Sequence, residues 1–87
     1  MASYRLVFRQ SVIKDLRAIP KQDVGRILKR MESLTMDPRG LGCEKLSGQD
    51  RYRIRQGPYR IIYEIMDADL VVTVVKVGHR RDVYKGS

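Results

Sequence analysis

The segment Leu70 to Val77, "LVVTVVKV", is apolar at every position except Thr73 and Lys76. A strand with one wet face alternates polar and apolar side chains, and this one does not. It therefore needs cover on both faces and is expected in the centre of a sheet. Two strand patterns precede it. Arg51 to Arg55 alternates arginine with Tyr52 and Ile54, and Tyr59 to Met66 follows after the turn residues "QGP". "DAD" at 67–69 turns the chain into the central strand, which completes an antiparallel meander.

The first half reads differently. Tyr4 to Phe8 suits a short strand. Ser11 can cap a helix whose Val12, Ile13, Leu16 and Ile19 share a face. Pro20 suits the first turn of a second helix, in which Val24, Ile27, Leu28, Met31 and Leu34 keep helical spacing until "DPRG" at 37–40 ends it. "LGCEKLSGQD" at 41–50 reads as a Gly-containing connector. The expected fold class is α+β, an N-terminal strand and helical hairpin on a small, mainly antiparallel sheet, β-α-α-β-β-β.

At 87 residues the chain is expected to form a single domain, residues 1–87. Its only cysteine, Cys43, leaves no partner for an internal disulfide and fits a reducing cytosol. The start, "MASYRLVFRQ", has no signal-peptide pattern, and no apolar run is long enough for a bilayer. A cytoplasmic protein is expected.

Eighteen Lys and Arg against ten Asp and Glu give a formal charge of +8. Such an excess favours polyanionic partners over the self-repelling free state. It also has a plain reading as a device for solubility. A membrane surface fits less well, since the cations do not lie opposite a wide apolar helix face rich in Trp or Phe.

The cations are concentrated. Arg51, Arg53, Arg55 and Arg60 lie in one hairpin with no carboxylate between the first and the last. Charges on an open strand face also prevent edge-to-edge aggregation, so a structural role competes here. Two details favour a ligand. All the charges have one sign, which solubility does not require, and all are arginine, whose planar fork suits phosphate. A second cluster follows at the C-terminus: Lys76, His79, Arg80, Arg81, Tyr84 and Lys85. A meander can bring the two clusters together, giving cations for an RNA phosphate and an aromatic, His79 or Tyr84, to stack on a base.

No motif for zinc, a nucleotide or a covalent nucleophile is present, so no metal or other cofactor is expected. His79 is the only histidine, which excludes a two-histidine acid–base pair. Arginine cannot act as a base, because it keeps its proton in proteins. Proton transfer would fall to His79 or to Tyr84, each of which has a plain structural reading as well. Glu64, the one carboxylate within the hairpin strands, reads as a paired or solvent-facing residue.

The strand–two-helix start, "YRIR", a turn, "PYRIIYEI", the central apolar strand and "VGHRRDVY" together resemble the RelE/ParE toxin superfamily, from about Tyr4 to Tyr84. "HRRDVY" inclines the resemblance to the RelE branch, ribosome-dependent endonucleases of messenger RNA. It implies a type II toxin–antitoxin toxin that cuts messenger RNA without a metal. It assigns catalysis to Arg53, Arg55, Arg60, Arg80 and Tyr84, with Arg81 a possible substitute for Arg80, while the basic clusters themselves assign RNA binding to Arg51, Lys76, His79, Arg81 and Lys85. The implied partners are a cognate antitoxin, the 30S decoding site with its message, and operator DNA only through the antitoxin complex. Two other readings remain: a ParE-like, non-catalytic inhibitor of DNA gyrase, and a plain RNA-binding module.

Overall fold

Seven elements lie within residues 3–48 and 50–79, which the computed structural model describes. Strand β1 is Arg5–Phe8, helix α1 Gln10–Arg17 and helix α2 Lys21–Ser33. Strands β2 (Glu44–Lys45), β3 (Tyr52–Gln56), β4 (Tyr59–Met66) and β5 (Val71–His79) follow. They form one five-stranded sheet in the order β1-β5-β4-β3-β2. β5 runs between β4, its antiparallel neighbour, and β1, its parallel one. Its lack of a polar face demanded that inner position.

Both helices contribute to the cover of one sheet face. Val12 of α1, Ile27 and Met31 of α2, and Leu34 beyond it bury against Ile54, Ile61, Tyr63, Val72, Val74 and Val77. Each such side chain contributes roughly 1.5–3 kcal/mol through the area it removes from water. The far face carries a smaller cluster of Ile62 and Val75 with Leu46 packed on it. A bulge makes both faces of β5 usable: Ile62 pairs with Lys76 but Tyr63 pairs with Val74, leaving Val75 as the extra residue. Val74 and Val77, three apart, thus share the helix-side core.

Several local expectations shift. The 41–50 connector contains β2, whose Glu44 and Lys45 pair with Arg53 and Tyr52. Two residues, both exposed and charged, carry no periodicity that could announce a strand. Helix α1 begins at Gln10 with Arg9 at the N-cap and no side-chain cap, so Ser11 lies inside the first turn. Pro20 occupies the N-cap of α2, where its carbonyl accepts from the amides of Asp23 and Val24. Ile13 is 49% exposed although it keeps helical spacing, because α1 fully buries only Val12. β5 continues to His79, two residues beyond Val77, while Leu70 belongs to the preceding turn with φ of 54°.

A polar network ties the segment after α2 to the sheet. Arg39 donates two bonds to Asp67, at 2.8 and 2.9 Å, and its Nε donates to the Tyr52 hydroxyl at 3.2 Å. The Tyr4 hydroxyl also donates to Asp67, at 2.7 Å. These bonds, Arg39's first, hold the Asp67 carboxyl down to about 2. Tyr52 stacks on Tyr63 at 5.8 Å, and the buried Tyr63 hydroxyl donates to the Pro38 carbonyl at 2.6 Å. Burial, first among several causes, pushes that phenol up. Among the described residues no helix is long and apolar enough to cross a membrane.

Candidate nucleic-acid interface

The hairpin of β3 and β4 turns on Gly57 and Pro58. Gly57 has φ of 57°, a left-handed value that glycine adopts at little cost. Proline fixes the second position at negative φ, which is the II′ combination that matches strand twist. The tight turn sets the register: Gln56 opposes Tyr59, Arg55 opposes Arg60, and Arg53 opposes Ile62. Tyr52, Ile54, Tyr59, Ile61 and Tyr63 pack in the helix-side core. The pleat then sends Arg51, Arg53, Arg55, Arg60 and Glu64 to the opposite face.

That face is not wholly cationic, and Glu64 is paired, as one of its two sequence readings expected. Glu64 pairs with Arg51 at 3.2 Å and with Arg9, just past β1, at 3.4 Å. Glu44 of β2 pairs with Arg53, whose side chain is only 17% exposed. Two carboxylates therefore offset the end of the face away from the turn. Toward the turn, Arg55 is exposed and has no ion pair among the described residues, and half-buried Arg60 stands opposite it. On the other side of Arg60 the β5 partner is Gly78, which adds no side chain. Two arginines are thus cross-strand neighbours beside a glycine at the turn end of the face. Like charges directly opposite one another are unfavourable in an antiparallel pair.

Lys76 pairs with Ile62 of the outer face, and its side chain reaches α1 at the strand edge, whereas His79 lies with Tyr59 on the helix side. Both line a cavity of about 370 Å³ with Asp15, Ile19 and Tyr59 among its walls. Asp15 accepts from Lys76 at 3.5 Å and from the amide of Val77 at 3.2 Å, which ties α1 to the end of β5. The rings of Tyr59 and His79 meet edge to face at 6.2 Å. The Tyr59 hydroxyl donates to Asp23 at 3.1 Å, and burial followed by that bond raises its pKa. His79 and Arg60 are near in the ladder yet on opposite faces. Arg80, Arg81, Tyr84 and Lys85 lie outside the described residues. Among the described residues no three His, Cys, Asp or Glu side chains gather as a metal-binding group.

Sequence reasoning passed over one cationic group. Arg26, Lys29 and Arg30 of α2 line a cleft with Ser33 and Gln56. Their spacing of three and four residues was the available signal, since it places all three on one helix face.

The family model described as the ParE toxin of the type II toxin–antitoxin system parDE matches residues 6–84. The chain is similar to the mRNA interferase toxin RelE of Escherichia coli K12, with 31% identity over 81 residues. That match covers 90% of this chain and 84% of that protein. Among solved structures, the archaeal RelE–RelB complex from Pyrococcus horikoshii OT3 matches with a TM-score of 0.76 and 30% identity. It covers 90% of this chain and 96% of its counterpart. The intact RelBE toxin–antitoxin complex of Escherichia coli gives a TM-score of 0.78 at 29% identity, covering 88% and 96%.

Proposed function

The chain belongs to the RelE/ParE superfamily of type II toxins, and on that premise we propose that it arrests translation by cutting messenger RNA on the ribosome. The observation that carries this reading is the Arg55–Arg60 pair beside Gly78. In the proposed reaction the 2′-hydroxyl attacks the adjacent phosphorus, forming the cyclic phosphate as the bond to the 5′-oxygen breaks. One proton leaves the 2′-oxygen and one reaches the departing 5′-oxygen. Arg55 and Arg60 neutralise the charge that builds on the phosphoryl oxygens, as a pre-aligned pair of donors does best. Arg53, held by Glu44, grips a neighbouring phosphate or orients the pair. Arg80 adds a further cation and Tyr84 moves a proton, both on the strength of the family resemblance. No metal takes part, and the ribosome supplies the in-line alignment of the message.

A cognate antitoxin of the RelB kind is the proposed protein partner, since similar toxins have been solved in complex with RelB. Operator DNA is reached only through that complex, and the site of action is the cytoplasm.

Single-turnover cleavage on programmed ribosomes tests the proposal. Wild-type protein should cut within the decoding site, and Arg60→Ala should be slower by a factor of roughly 10² to 10³. One observation favours a second reading, inhibition of DNA gyrase: the matching family model is described as a ParE toxin. Loss of gyrase supercoiling activity with the message left intact would establish that reading instead.

A further inference from the structure

The exposed flank of β3 past its short partner strand is closed by a side chain rather than by a strand. β2 pairs only with Tyr52 and Arg53, so Ile54 to Gln56 has no strand on that side. Arg30 of α2 reaches across and donates from Nε to the Arg55 carbonyl at 3.4 Å. The cleft holding Arg26, Lys29 and Arg30 opens beside Gln56. Arg26 and Lys29 are exposed, and neither has an ion pair among the described residues. Adjacent like charges on one helix face are mildly destabilising, so the group is not explained by stability.

The two basic groups meet at Arg55: its side chain faces outward on the sheet while its carbonyl accepts from Arg30 of α2 at the open edge of β3. A basic groove of this kind tracks several successive nucleotides of a single strand. We propose that α2 carries a second phosphate-binding track for RNA, in which Arg26 and Lys29 hold the backbone after it leaves the Arg55–Arg60 pair. The inference rests on the RNA-directed reading above. Charge complementarity identifies the occupant as a phosphodiester backbone, and arginine's fork suits it.

Salt titration of binding to an unstructured single-stranded RNA of about twenty nucleotides tests the track, because removing one phosphate-binding cation lowers the log–log salt slope by about 0.7. Arg26→Gln with Lys29→Gln should lower the slope by about 1.4, so wild-type affinity should fall about sevenfold more than the variant's between about 50 and 200 mM salt. Arg26→Lys with Lys29→Arg should keep the wild-type slope. All four substitutions use good helix formers, and far-ultraviolet dichroism checks that α2 is retained. Arg55→Gln with Arg60→Gln separates the two claims. A lower slope there with none in Arg26→Gln/Lys29→Gln overturns the track and leaves the primary site standing. An unchanged slope in both, or no binding by wild type, overturns both. Unchanged RNA binding with a weakened antitoxin complex in Arg26→Gln/Lys29→Gln would make α2 a protein face, which also overturns the inference.

Discussion

Arg55 and Arg60 face each other across the β3–β4 ladder, one step from the Gly57–Pro58 turn. A two-residue loop permits no other register, so the juxtaposition of like charges is built into the turn. Replacing Arg55 with Thr, a good strand former, removes the repulsion. The expected gain is about 0.5 kcal/mol, read as a modest rise in Tm, with toxicity reduced in cells. A variant both less stable and fully toxic would contradict the functional reading of this pair.

Acid sensitivity should trace to Asp67. Its folded carboxyl is held near 2 by Arg39 and Tyr4, below the ordinary value of 3.8. A carboxyl lowered on folding stabilises the fold above its unfolded pKa, and that contribution fades as pH falls from about 4 toward 2. Denaturant midpoints measured across that window should drop for wild type. Asp67→Asn should begin lower at neutral pH and change less, and parallel curves for the two proteins would exclude this linkage.

Tyr63→Phe isolates a single buried hydroxyl. The change keeps the ring stacked on Tyr52 but leaves the buried Pro38 carbonyl without its 2.6 Å donor. An unsatisfied buried acceptor costs about 1–3 kcal/mol. Thermal unfolding should register a loss of that size. Cleavage at temperatures where the variant is folded should match wild type, because Tyr63 lies on the helix side of the sheet.

The face occupied by His79 predicts its kinetic role. Its ring packs against Tyr59 in the helix-side cavity, away from the Arg55–Arg60 pair. His79→Ala should therefore leave the pH profile of single-turnover cleavage unchanged. Tyr84→Phe should lower the rate with little effect on ribosome binding, if the hydroxyl moves a proton. A pH-dependent defect confined to His79→Ala would transfer that role to the histidine.

Much of this architecture could be read along the chain. The two apolar faces around Val72 and Val75 required an inner strand, and helical spacing from Val24 to Leu34 marked α2. The alternation of Arg53, Ile54 and Arg55 placed the arginines opposite the core. These signals are local, because they arise from the periodicity of a single element. The partners of the charges are not local. Glu44, nine residues from Arg53, neutralises it only because a two-residue strand pairs there. Glu64 joins Arg9 to Arg51 across the sheet, and Asp67 joins Tyr4 to Arg39. A side chain's neighbours depend on register, on the Val75 bulge and on where α1 and α2 settle over the sheet. Only the folded chain therefore set Arg51 and Arg53 against Glu64 and Glu44 and Arg55 opposite Arg60 at the turn, and only it set His79 and Arg60 on opposite faces.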